Sequence, residues 1–283
     1  MTVPRSDFYG NLTYHNSSPF AGAALKLKRA ERHLHELADA ARHLPLRRNY
    51  NFAIRPKPED GQIEIIYTTD SRMPLEFAGV IGDAVHNIRS AFDYVAVALT
   101  APPLGRGKAA DAYFPTGIDR QEFIRARDGF TTAKGKRVRG KMEGASSHAL
   151  RLVEELEPYD GGQYSLRSLH DLDVLDKHKL IIPAIVRLRV AKLDASLGQV
   201  RYSLGMTDFK PNKDRSNFVA TVDCPADMTD EFQLDGEFQP TFDIVFAEGQ
   251  PLEGKPVVDT LLEIADTGKR FIEKCSALFL RTN

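Results

Sequence analysis

The order in which two periodicities occur constrains this 283-residue chain more than any other feature. Up to Pro183 the apolar residues recur mainly at helical spacing. Beyond it they sit in short β-like runs, until a last helical stretch. Helices followed by clustered strands do not build a doubly wound sheet, which needs strand and helix to alternate. The expected fold class is α+β: an N-terminal helical bundle with a β-hairpin, then an antiparallel sheet and a closing C-terminal helix. Residues 1–19 read as an N-terminal arm, 20–182 as the mainly helical part, and 183–283 as sheet plus C-terminal helix. Pairing of the early hairpin with the later strands would make them one integrated domain.

Within that order each element carries its own signal. Phe20–Leu44 places Leu34, Leu37, Ala38, Ala41 and Leu44 on one stripe and stops at Pro45. Asn49–Arg55 and Gln62–Thr69, joined by PKPEDG, read as a hairpin. Pro74 opens a helix from Leu75 to about Thr100, closed by Pro102-Pro103. Further helices are expected at Arg120–Arg127, Ser146–Leu156 and Ser165–Leu180, and a final one at Val257–Leu280. The strands expected between them are Ile185–Lys192, Val200–Met206, Phe218–Val222, Glu231–Phe238 and Thr241–Phe246.

Composition removes several function classes. Lys plus Arg (38) nearly cancels Asp plus Glu (39), so the basic excess of a duplex-DNA binder is missing. Two cysteines, Cys224 and Cys275, make neither a disulfide framework nor a cysteine zinc cluster. No apolar run reaches the roughly 18 residues of a membrane helix. The opening MTVPRSDFYG lacks the apolar stretch of a signal peptide, so a cytoplasmic location without a membrane partner is expected. The even total also hides local excesses. Lys134, Lys136, Arg137, Arg139 and Lys141 make a basic run, read either as a solvated loop or as an RNA contact. Between Asp223 and Glu248 there are eight acidic residues and no Lys or Arg. That stretch could be a solvated edge, or could meet the basic run within the chain or across a homo-oligomer.

The chemistry-bearing residues concentrate on two helical segments. In Leu75–Thr100 the residues Ala84, Val85, Ile88, Ala91, Phe92, Val95 and Leu99 form an apolar arc. The opposite arc holds Asp83, His86, Arg89, Ser90, Asp93 and Tyr94. In Ser165–Leu180 the stripe Leu166, Leu169, Leu172 and Leu180 is interrupted by Asp173 and Asp176, with His170 and Lys177 at its margin. A carboxylate buried without a partner costs several kcal/mol, so these two aspartates demand partners. His86 and Arg89 across a helix interface, with Lys177 nearby, are the expected ones. The candidate site is therefore His86, Arg89, Asp93, His170, Asp173, Asp176 and Lys177. His178 points to the other side of its helix.

GDAVHNIRSAFDY at 82–94, YFPT at 113–116 and LHDLDVLDKHK at 169–179 together resemble a family of uncharacterised bacterial proteins. That family has an HNLRSALDHL-type helix and a later DKHR-type helix. The tail from FDIVF to VVDTL is similar to the family's closing strand and helix. The resemblance covers about 75–280 and implies motif positions at His86, Asn87, Arg89, Asp93, Asp176, Lys177 and His178, without implying roles for them. The chain departs from the pattern at Tyr94, where His is expected, and at Lys179, where Arg is expected.

Three chemistries remain open for the polar layer. A HEPN-like ribonuclease needs Arg followed four to six residues later by His. Arg89 is instead followed by Tyr94, a poor base at neutral pH, and Arg29 and His35 lie about 120° apart around a helix. A divalent-metal hydrolase would draw His86, Asp93, His170, Asp173 and Asp176 to one centre. A site with no cofactor would orient His86 by a carboxylate and hold a small anion or phosphoester with Arg89 and Lys177. Against all three stands a non-catalytic interaction protein, in which the same layer only fixes helix register.

Overall fold

The computed structural model describes residues 18–43, 50–69, 75–102, 104–106, 112–179, 186–190, 193–197, 200–204, 207–209, 216–224, 231–235 and 241–282. The expected arm up to residue 17, Leu44, Leu180, the boundary at Pro183 and much of the acidic stretch lie outside these residues. Mixed helix and antiparallel sheet is the architecture found, as the order of periodicities expects. Six α-helices run through the described residues: α1 Ala21–His43, α2 Leu75–Thr100, α3 Arg120–Asp128, α4 Ser147–Glu154, α5 Tyr164–His178 and α6 Val257–Thr282. No described helix is long and apolar enough to cross a membrane.

The chain forms two compact units. One takes Met1–Leu34, Gly79–Ile181 and Asp259–Asn283, and holds most of the helices. Its helix starts are chemically marked. Asp119 accepts a hydrogen bond from the Glu122 amide at 2.7 Å to open α3, and Ser146 accepts from the Ala149 amide at 3.2 Å to open α4. The whole expected apolar arc of α2 is buried, from Ala84 to Leu99. The core closes around three rings: Phe92 of α2, Phe114 of the segment before α3, and Phe271 of α6, with centroids 4.9–6.2 Å apart. Gly268 of α6 lets Leu27 of α1 approach: a Cβ there would lie 3.2 Å from a leucine methyl.

The other unit takes His35–Ala78 and Ile182–Val258 and carries the larger ladders. The expected hairpin is present as β1 (Tyr50–Lys57) and β2 (Gln62–Thr69), paired antiparallel from Tyr50↔Thr69 to Lys57↔Gln62. Its other edge takes a later strand, Ser216–Asp223, so early and late segments share one sheet. That ladder shifts register between Ile65 and Ile66, the signature of a bulge. The remaining described strands do not extend this sheet. Phe232–Asp235, Leu193–Leu197 and Val200–Leu204 form one antiparallel ladder, and Thr241–Ile244, Val186–Val190 and Thr207–Phe209 form another. Leu193–Leu197 and Thr207–Phe209 are absent from the sequence expectation. LDASL has no β-branched residue and TDF spans only three positions, so neither carries a strand signal.

One correction concerns the basic run. It forms a hairpin in the helical unit, Gly129–Thr131 against Arg137–Arg139, rather than a loop. Lys134 sits in its turn, where Gly135 has φ 75°, a value that glycine adopts without strain.

The three-ring cluster gives a direct test of the helical core. Phe271→Ala removes a fully buried ring and is expected to lower unfolding free energy by about 3–5 kcal/mol in urea titration. A loss below about 1 kcal/mol would place Phe271 outside the core.

Candidate functional site

The candidate residues belong to α2 and α5, which run antiparallel within the helical unit. Gly82 meets Asp176, His86 meets Asp173, and the charge of Arg89 acts on His170. At Gly82 a Cβ would lie 2.6 Å from both carboxylate oxygens of Asp176. The missing side chain makes room for that carboxylate.

Asp173 is the centre of the arrangement. Its side chain is only 5% exposed, and each oxygen has one cationic or ring partner. Oδ1 lies 3.0 Å from His86 Nδ1, and Oδ2 accepts from Lys177 Nζ at 2.6 Å. A carboxylate has only acceptors to offer, so Nδ1 carries the proton and Nε2 is left as the basic nitrogen. His86 itself is 52% exposed and Lys177 56%. Asp173 thus stands behind two groups that reach water. Ser90, one turn further along α2, has its Oγ 3.4 Å from His86 Nε2.

The second cluster is more deeply buried. Arg89 is buried, and it does not cross to the aspartates of α5 as the sequence suggests. Its NH1 sits 2.7 Å from Asp93 Oδ1, an ion pair by distance rather than an aligned hydrogen bond, and its NH2 donates to the Phe114 carbonyl at 2.9 Å. The Phe114 amide donates to Asp93 at 2.9 Å. Arg89 and Asp93 together therefore strap the YFPT segment onto α2, satisfying both backbone groups of Phe114. Burial pushes Asp93 above the usual carboxylate range, although Arg89 and the Phe114 amide pull it down. An Arg89 held in this way has its donors turned inward, away from any phosphate in solvent. Tyr94 is exposed, with its ring packed on Gly22 of α1.

His170 has a different environment. Burial, with Arg89 and Arg167 nearby, pushes its pKa down to about 4. Its Nδ1 is buried without a hydrogen-bond partner. It is therefore a neutral imidazole at pH 7, and its next neighbour Asp171 pairs with Arg167 at 3.0 Å. His178 is exposed, as its position on the helix expects.

The seven candidates therefore divide. His86, Asp173 and Lys177 are brought together, Arg89 and Asp93 form the inner strap, Asp176 packs on Gly82, and His170 stands by itself as a neutral imidazole. Among the described residues no three His, Cys, Asp or Glu side chains converge to hold a metal ion. In the basic run Lys134 and Lys136 are exposed; Arg137 donates to the Asp128 carbonyl at 3.2 Å, Arg139 pairs with Glu143 at 3.5 Å, and Lys141 lies over the Tyr113 ring. Both cysteines are buried, and burial pushes the Cys275 thiol up, away from nucleophilic use.

Sequence reading missed two participants. Phe114 acts through its backbone, which no residue type announces. Ser90 stood on the polar arc, and the signal available was its i+4 spacing from His86. No protein-family model, no curated protein and no solved structure matched the chain.

The lowered pKa of His170 fixes a sign for acid stability. Between the unfolded value near 6.5 and about 4, the unfolded chain binds a proton that the folded chain refuses. Stability from this residue is full above pH 6.5 and is lost as pH falls toward 4. Asp93, with its raised pKa, contributes the opposite sign just above the ordinary carboxylate range and does so in parent and variant alike. Melting temperature should therefore fall more steeply across this window in the parent than in His170→Asn. Parallel profiles would show that His170 is not held neutral.

Proposed function

We propose that this protein is a hydrolase for a small anionic ester, phosphoesters among them, with His86 as its general base. One observation carries the reading: a half-exposed imidazole is held from behind by a carboxylate that is almost completely buried. Burying a carboxylate is expensive, and surface ion pairs gain little. A histidine serving only as a surface partner would not need a buried anion. One serving only as a core partner would be buried with it.

The chemistry follows from the bonds. Asp173 fixes the ring orientation and the tautomer, and supports the imidazolium that forms when Nε2 takes a proton. Lys177 neutralises the same carboxylate, and its exposed ammonium also attracts an anionic substrate to the mouth of the site. The Arg89–Asp93–Phe114 strap holds α2 one turn beyond His86, so the base does not drift. A purely structural layer is the second reading, and the bonds of Arg89 and Asp93 to the Phe114 backbone favour it for those two residues alone.

The test uses p-nitrophenyl phosphate and bis(p-nitrophenyl) phosphate with the full chain. His86→Gln is expected to lower the rate by about 10²–10⁴-fold, with only a small fall in melting temperature, because the Gln amide keeps a donor for Asp173 and Lys177 still meets its charge. No turnover by the parent, or an equally active His86→Gln protein, would overturn the assignment.

A further inference from the structure

Resting on the hydrolase reading, we propose that Ser90 is the nucleophile of this site and that phosphoesters are cleaved through a covalent phosphoseryl intermediate on its Oγ. Three side chains stand in sequence: Ser90 Oγ is 3.4 Å from His86 Nε2, and His86 Nδ1 is 3.0 Å from Asp173. Lys177 closes the far end at 2.6 Å. A weak nucleophile next to a base that is itself oriented by a third group is the general signature of an activated hydroxyl.

Another hydroxyl of α2 shows what is unusual about Ser90. Thr100 donates its hydroxyl to the Ala96 carbonyl at 2.7 Å, the ordinary use of such a residue inside a helix. Ser90 instead meets the side chain of the residue four positions back. Thr100 is buried, whereas Ser90 is partly exposed and reachable from solvent. The separation of 3.4 Å is loose for a hydrogen bond, and such contacts commonly tighten when substrate binds.

The reaction balances with these groups and water. As Ser90 Oγ bonds to phosphorus, its proton passes to His86 Nε2. The P–O bond to the leaving alcohol breaks, and His86 returns the proton to that alcohol. Water then attacks phosphorus and gives its proton to Nε2. The Oγ–P bond breaks, inorganic or monoester phosphate departs, and Ser90 regains the proton from His86. Asp173 stays ionised throughout and holds the ring, as does its counterpart in other serine–histidine–aspartate sites.

The experiment treats the full-length chain with a fluorophosphonate and maps the adduct by peptide mass spectrometry. The Oγ–P bond forms, the P–F bond breaks and fluoride leaves. A single adduct on Ser90 is expected, slowed at least about 10²-fold in His86→Gln and absent in Ser90→Ala. No adduct, or an adduct on a different residue, would overturn the proposal. Ser90→Ala places a better helix former at a partly exposed helical position, so folding is not at risk. Hydrolysis of bis(p-nitrophenyl) phosphate separates the two levels of inference. If Ser90→Ala keeps the parent rate while His86→Gln loses it, water is the nucleophile: Ser90 fails and the hydrolase reading stands. If neither substitution changes the rate, both fail.

Discussion

The burial of one carboxylate, Asp173, is the constraint on which the helical unit turns. It occupies a position where the leucines of α5 predict another leucine, and water cannot solvate it there. Its charge must be met by protein groups, and two meet it from different directions: His86 from α2 and Lys177 from the next turn of its own helix. The pairing fixes which turn of α2 faces which turn of α5. Replacing either partner by an apolar side chain would leave one oxygen of the buried carboxylate without its donor, which costs stability.

The same constraint divides the polar layer into two parts with different physics. Arg89, Asp93 and the Phe114 backbone hold one another largely out of water, and an interaction of that kind positions a segment. His86, Lys177 and Ser90 remain accessible in front of Asp173, and an interaction of that kind leaves a basic nitrogen available. Charges that look equivalent on a helical wheel are therefore divided by burial into an inner strap and an accessible cluster. His170, neutral through burial and the field of two arginines, belongs to the inner side.

Much of this was legible in the amino-acid order, and the limits have physical causes. The long helices follow from apolar period and flanking prolines, and α2 buries every residue that its period assigns to the core. The meeting of His86 with Asp173 follows from the requirement that a buried aspartate find a partner. The destination of Arg89 does not follow, because its partner is a backbone carbonyl in a distant segment. A helical wheel places side chains around an axis and says nothing of loops that return to it. Apart from Leu193–Leu197 and Thr207–Phe209, the β unit was readable as strands but not as ladders, since five-residue strands such as Val186–Val190 and Val200–Leu204 pair with partners that local sequence does not specify.

The most direct measurement is the tautomer of His86, read from its ring ¹⁵N shifts at a pH where the imidazole is neutral. If Asp173 holds the ring as the geometry indicates, the proton resides on Nδ1, and Asp173→Asn shifts the tautomer balance. A proton on Nε2, or a spectrum unaltered by Asp173→Asn, would contradict the claim that the buried carboxylate orients a catalytic base.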